Sequence, residues 1–522
     1  MSTDHPAGLP LPPVSRLLGS RLFVEHPRPR GVAGWRHAHW LAVGTVCLGA
    51  FLGQLTASIT ALVFPALEGH FRADLATVEW VALAYLLVLV ALLAPVGRLS
   101  DLVGRKTMYL WGFAVFAAAS LGAGLAGSLW VLVAFRAVQA VGGAMMQANS
   151  VALVARGVPE RAMRGALGVQ AAAQGLGLAL GPTLGGLLVQ HASWRWAFWI
   201  NVPIGLLGIL AGWFLLPRTH PGAPRPDPGA RPSDPRRTPL APVARRPSVV
   251  HGPSVVHRPA TGVRARGGGF DLLGLLLLAG ASGALLLALS TASGLPLPGW
   301  APSVLLLTSA ALAVALARQE QRAERPIIAP GLVNTPGVRA GLAVALLGYL
   351  LLFCPLVLGP MTLAARGVPV ARAGLVITLL PAAFALAATV GGRLLPGHWS
   401  DGVRCRWGAA TAGAGLVLLA LLPGGVPSAV VALPVVGYGL GLLLPANNAL
   451  VMRLIPAECS AVGGGMVNMV RSLGTAFGTA LPVLGVHLAG PVSGGRAVLL
   501  VLVALAGAAA VLGGRAAGVR RT

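Results

Sequence analysis

The sequence predicts an all-α, polytopic membrane protein, and three observations carry that prediction. Apolar residues make up 56% of the 522 positions and charged residues only 10%, with a mean hydropathy of +0.78, whereas a soluble domain carries about 25% charged residues. Apolar stretches of roughly 18 to 25 residues recur along almost the whole length, and each can cross about 30 Å of hydrocarbon. The cations gather in alternate connections, which gives the spans a common orientation.

Fourteen spans are predicted in order: 39–64, 77–96, 107–127, 129–154, 163–190, 196–216, 270–291, 300–317, 340–363, 372–395, 407–424, 429–453, 462–487 and 497–513. Residues 1–38 hold Pro and Arg but no short apolar core with a cleavage site, so they read as a cytoplasmic tail and not as a signal peptide. Spans 1–6 make a first six-helix bundle over 39–216, and residues 217–269 form a long cytoplasmic loop rich in Pro, Arg and Gly. This loop contains a tandem repeat at 247–258 and too little apolar content for a core, so it is expected to be disordered. Its arginines fix topology or touch a lipid surface. Two extra central spans occupy 270–317, a second six-helix bundle 318–513 and a second tail 514–522.

A net charge of +25 in a soluble protein would suggest a nucleic-acid partner, but the distribution argues against it. Of 39 Lys and Arg, 32 fall in the tails and in loops 2–3, 4–5, 6–7, 8–9, 10–11 and 12–13; Arg72, Arg195, Arg366, Arg372 and Arg496 lie in the opposite loops. Both termini are therefore placed in the cytoplasm. Cys47, Cys354, Cys405 and Cys459 have no metal-type spacing and read as packing residues. No nucleophile with a paired base, no metal-ligand cluster and no phosphate loop is present, so neither an enzyme nor a metal or cofactor is expected.

Span 5 contains Gly-Leu-Ala-Leu-Gly-Pro-Thr-Leu-Gly-Gly. Gly177, Gly181 and Gly185 form one smooth helical face beside Gly186, and Pro182 permits a bend. Between spans 2 and 3, the string Gly97 to Lys106 sets Asp101 beside Arg105 and Lys106 across a turn at Gly104, where a charge pair can form in one conformation and break in another. Residues 397–406 echo this string in the second half without its second glycine. On span 4, Arg136, Gln139, Gly143 and Gln147 share one face. An arginine there costs about 2.5 to 3.5 kcal/mol on insertion scales, so it faces a polar cavity or is clamped to backbone carbonyls. Gln170 with Gln174, Asn468 with Arg471, and Asn447 with Asn448 add polarity to spans 5, 13 and 12.

These strings resemble motifs C, A and B of the major facilitator superfamily, with Ala140 standing where motif B usually has glycine. The segment Ser193 to Gly205, the run from Leu55 to Pro65, and Asn468, Arg471, Leu473 and Gly474 are similar to the fourteen-helix drug:proton antiporter branch. The resemblance implies the major facilitator fold, two six-helix bundles plus two extra central helices, in a bacterial inner membrane. It further implies a monomeric exporter of small amphiphilic substrates, driven by protons, working by alternating access among lipids and without nucleic acid. Gly97, Asp101, Gly104, Arg105 and Lys106 would gate, Gly177 to Gly186 would supply the antiporter motif, and Gln54, Thr56 and Ser58 would line the cavity from span 1.

One departure matters. The branch usually carries an aspartate where this chain has Thr56, and none of the fourteen Asp and Glu falls near the centre of a predicted span. A threonine hydroxyl neither binds a proton nor offers a charge at physiological pH. The acids left for coupling are Glu68, Asp74 and Glu79 near the outer mouth and Asp101 at the inner end, with His487 as a titratable alternative. With Arg136 and Arg471 within the spans, neutral, zwitterionic or anionic substrates are favoured over multivalent cations. Two other readings stay open: a facilitator or uptake carrier on the same fold, and a membrane sensor working through its basic loop.

Overall fold

In the computed structural model the described residues are 28–29, 31, 35, 37–219, 271–292, 294–295, 297–323, 335–391, 399–422, 425–455 and 460–518. Most of the predicted 1–38 tail, residues 519–522 of the second tail and most of the 217–269 loop fall outside them, while the last helix, Gly495–Gly518, runs on through residues 514–518 of the predicted tail. Among the described residues every regular element is helical, and fourteen helices have fifteen residues or more. We number these α1 (Ala38–Phe71), α2 (Trp80–Val103), α3 (Arg105–Gly124), α4 (Leu129–Gly157), α5 (Glu160–His191), α6 (Asn201–Leu215) and α7 (Leu272–Ala292). The rest are α8 (Ala301–Arg322), α9 (Pro336–Ala364), α10 (Val370–Leu386), α11 (Asp401–Leu421), α12 (Val426–Leu454), α13 (Ser460–Ala489) and α14 (Gly495–Gly518).

Twelve described stretches are long and apolar enough to cross a membrane. One of them, Gly464–Gly514, holds both α13 and α14, and α11 is not among them. What α11 lacks in apolarity it makes up in small residues: Cys405, Ala409, Ala412 and Leu416 are fully buried, and Gly408 and Gly415 lie against the α12 backbone. A Cβ on Gly408 would come within 2.7 Å of the Gly439 carbonyl oxygen. Close backbone packing therefore holds a helix whose own hydropathy is modest.

The packing of the first half returns in the second at an offset of eight helices. Within the first six, α1 packs on α5, α3 on α4, α2 on α4 and α6 on α3; correspondingly α9 packs on α13, α11 on α12, α10 on α12 and α14 on α11. The two bundles meet along two seams that are also each other's counterparts, α5 with α10 and α13 with α2. Two related bundles facing one another are the arrangement expected of an internal repeat. α7 and α8 have no counterparts: they pack on each other, and α7 leans on α2 and α13. Burial follows position, since 83% of the α9 apolar window is buried and only 17% of that of α8.

The turn between α2 and α3 demands glycine, because Gly104 adopts φ of 107°. Just beyond it the Lys106 ammonium, 1% exposed, donates to the carbonyl oxygens of Trp213 and Leu216 at 2.9 Å. Arg28 reaches the same place, its Nε donating to Leu215 O at 2.7 Å, and burial pushes this guanidinium below its ordinary value. Two cations thus satisfy the last carbonyls of α6, where the helix dipole is negative.

Candidate functional site

A cavity enclosing about 730 Å³ of empty space, its open mouth included, lies between the two bundles. Gln54 of α1, Tyr85 and Leu89 of α2, Tyr109 of α3, Gly143 and Gln147 of α4 and Gln174 of α5 line it from the first bundle. Tyr349 and Phe353 of α9 and Arg471, Ser472 and Thr475 of α13 line it from the second. The guanidinium of Arg471 stands 4.6 Å from the centre of the Tyr349 ring and donates to Asn468 Oδ1 at 3.3 Å. Among the described residues one cation, held by an aromatic face and an amide, is the charge that this wall presents, and no carboxylate lines it.

A smaller cavity adjoins the first, sharing Ala57, Tyr85, Leu86, Phe353 and Thr475 with it and adding Ala82, Arg136 and Thr479. Arg136 is 1% exposed; its Nε donates to Val81 O at 2.7 Å, its NH1 bonds to Gln139 Oε1, and its guanidinium stands 4.4 Å from the centre of the Tyr85 ring. Gln139 in turn donates to Ser120 Oγ at 2.6 Å. Both alternatives for this arginine therefore coexist: it clamps α4 to the α2 backbone and also walls a cavity. Every polar atom so engaged is spared the cost of burial without a partner.

Several residues grouped by sequence are placed apart from this cavity. Thr56 is fully buried and donates to Asn201 Oδ1 of α6 at 3.0 Å. Ser58 is fully buried too and bonds back to Gln54 O and across to Gly177 O. Both face neighbouring helices, because α1 turns a different side to the cavity, the side of Gly49, Gly53, Gln54 and Ala57. Asn447 donates to Gly341 O at 2.9 Å and joins α12 to α9, and Gln170 is 4% exposed within α5 and apart from the cavity lining. Lys106 caps α6 as described, and the side chains of Arg98 and Asp101 lie outside the described ones. In the second-half echo, Asp401 pairs with Arg453 and ties α11 to α12.

The glycine face of α5 lies against two helices. A Cβ on Gly181 would overlap the Ser58 side chain, one on Gly185 would meet Ile59 at 2.8 Å, and one on Gly186 would meet Val370 O of α10 at 2.7 Å. The Pro182 carbonyl packs on Gly374 of α10, and Thr183 and Thr378 share a hydrogen bond of 2.6 Å. On the other side of the interface Ile59, Phe64, Val357, Met361 and Val483 form one buried cluster. The bundles are therefore shut at the end away from the Gly97–Lys106 turn. Nearer the middle of the molecule Gly53 opens into the cavity, and a Cβ on it would meet nothing within 4 Å.

Tyr85, Tyr109, Tyr349 and Phe353 were not singled out from the sequence. A signal was present, since the chain has only four tyrosines and three of them line this cavity. An aromatic with a polar tip, rare in an apolar chain, suits a wall that meets amphiphiles.

Comparison with known proteins agrees with the geometry. The chain is 26% identical to the riboflavin transporter RibZ of Clostridioides difficile over 84% of its own length and 87% of that protein's. It is 29% identical to the tetracenomycin C resistance and export protein of Streptomyces glaucescens, covering 89% and 79% of the two chains. It is 28% identical to the multidrug resistance protein Stp of Mycobacterium tuberculosis, covering 85% and 74%. The family model described as Major Facilitator Superfamily matches residues 46–479. Two facing helical bundles with a cavity between them, and a family match along most of their length, make this chain a member of the major facilitator superfamily, a multi-pass transporter of the bacterial cytoplasmic membrane.

Proposed function

We propose that the protein exports amphiphilic drugs or metabolites by alternating access in exchange for protons, with fourteen spans and both termini in the cytoplasm. The observation that carries the substrate reading is the cavity wall: Arg471 on Tyr349, three glutamines and two further tyrosines, with no carboxylate among the described residues that line it. Such a wall attracts neutral, zwitterionic or anionic amphiphiles and repels multivalent cations. Export is supported by the resemblance of Gly177–Gly186 to motif C, and by relatives whose names include antibiotic export and multidrug resistance. The close approach of α5 to both α1 and α10 supports a role for that motif in the opening and closing of the bundles.

The same absence of a cavity carboxylate favours a second reading, a carrier that moves substrate without protons. One experiment separates the two. Inside-out vesicles with an acid interior are offered riboflavin, tetracenomycin C and a bis-quaternary dye while a pH-sensitive dye is followed. Antiport predicts collapse of the gradient by a compound only when the protein is present. Movement of a labelled compound with the gradient untouched would establish the uncoupled carrier, and preference for the dication would refute the charge argument.

A further inference from the structure

Glu79 stands at the N-cap position of α2, at the closed end of the molecule, and is 0% exposed. Its Oε1 accepts a hydrogen bond from the hydroxyl of Ser290 on α7, and its Oε2 is buried without a partner. The other acids whose side chains are described lie away from the two cavities. Glu68 and Asp74 are exposed, Asp271 accepts from Gly274 N and Gln319, and Asp401 pairs with Arg453. Buried Glu320 sits on peripheral α8 at the end of the molecule where α8 meets Asp271 through Gln319. An acid enclosed by protein within a membrane, bound by a neutral hydroxyl and not by a cation, is a functional group until shown otherwise.

Its location gives that function content. Ala82, Tyr85, Leu86 and Leu89 carry the same side of α2 from Glu79 into the Arg136 cavity and on into the main one. Glu79 lies one helical turn beyond Ala82, about 4.5 Å along the axis. The groups that titrate or carry charge on the elements packed around it are Tyr85 on α2, Arg136 on α4, bonded to Val81 O, and His487 on α13, whose ring lies over Gly294. Glu68 and Asp74 stand at the exposed rim. None of these hydrogen-bonds to Glu79 or forms an ion pair with it among the described residues.

We propose that Glu79, held by Ser290, is a proton-exchange site of the far gate; this rests on the antiport reading and names the group that carries the coupling. With the far end open, the carboxylate takes a proton from hydronium: an O–H bond forms on Oε2 and water is left. The neutral acid is then enclosed when the bundles close. Ser290 accommodates both forms, since a hydroxyl donates to a carboxylate and accepts from a carboxylic acid. Closing the gate over an unpaired carboxylate would be expensive, so closure and proton uptake are thermodynamically linked, and by reciprocity each promotes the other. The reverse step returns the proton to water in the cavities beside Thr479 and Thr475, where substrate enters from the open side.

The test needs no known substrate at its first stage. pH-difference infrared spectra are taken on the purified full chain in lipid, as wild type, Glu79→Gln and Ser290→Ala, each first shown to elute as a single species. The expected result is a carboxylic acid C=O band that grows as pH falls, is missing in Glu79→Gln and moves in frequency in Ser290→Ala. A spectrum unchanged by Glu79→Gln overturns the proposal. At the second stage, in the vesicle assay, Glu79→Gln is expected to lose the gradient collapse that the wild type gives with riboflavin or tetracenomycin C. If the wild type and Glu79→Gln collapse the gradient alike, the site is wrong and antiport stands. If the wild type moves compound without touching the gradient, the antiport reading itself has failed and the coupling role with it.

Discussion

Thr56 shows how far a single residue can be read from its neighbours in sequence. Its place in the Leu55–Ile59 string suggests a cavity group that has lost its acid, yet its hydroxyl bonds to Asn201 on α6 and is fully buried. Thr56→Asp should therefore not create a coupling site. It would bury a carboxylate against the Asn201 Oδ1 acceptor, at a cost of about 1–3 kcal/mol or more. The expected outcome is a lower melting temperature in detergent with no gain in proton exchange. Arg471 is the opposite case, legible both as a polar residue in a span and as a cavity group. Arg471→Glu reverses the sign of the wall; flux of a neutral or anionic amphiphile that the wild type moves is expected to fall by about tenfold or more, the equivalent of about 1.4 kcal/mol in binding, while a dication gains. Competition between an anionic and a dicationic dye checks this.

At the scale of elements, helix existence was written in apolar length, and the helix faces were not. The first span, read as 39–64, continues to Phe71 before Arg72 takes a left-handed conformation. The apolar run predicts one span over 372–395, and the structure gives Val370–Leu386 followed by a π segment to Gly391. Apolar periodicity is weak in helices surrounded by lipid and protein alike, so the side turned to a cavity has to be found from polar residues. Small-residue stripes are more dependable, because they report close approach of backbones. The Gly177–Gly186 face was visible in sequence, and its two partners, α1 and α10, were not. Gly181→Ala would overlap Ser58, so a destabilisation of about 1–3 kcal/mol is expected, with partial rescue by Ser58→Gly in the double variant. Thermal unfolding of the four proteins closes that cycle. Asp401 with Arg453 shows what a worn copy of a motif retains: the ion pair joins two helices of one bundle.

The whole molecule is organised by the two seams between the bundles, and they differ in chemistry. Along α5 and α10 the contacts include the Thr183–Thr378 hydrogen bond and the Gln190 side chain accepting from Ala371 N at 2.9 Å. Along α2 and α13 they are apolar, Val90 packing with Met469 and Leu473 beside α7. Thr183→Cys with Thr378→Cys, in a chain whose native cysteines are replaced, is expected to form a disulfide under oxidation and hold the far end shut. Transport should then cease and return on reduction, and binding from the open side should persist. Fluorescence binding and flux measured on the same preparation test both halves of that expectation. The internal repeat was faintly legible in the paired strings at 97–106 and 397–406, although the matched packing of each helix with its counterpart's neighbours could be seen only in space.

The lone pair of unmatched helices has a consequence for the energy of the transport cycle. Two equivalent bundles related by an axis along the membrane normal make the seam of α5 with α10 and the seam of α13 with α2 equivalent, so each would open with the same ease. α7 breaks that balance by pressing on α2 and α13, on one seam and not on its counterpart. If the bundles rock against one another, the added helices are expected to stiffen the seam they cover, so that the two seams yield unequally as the carrier opens.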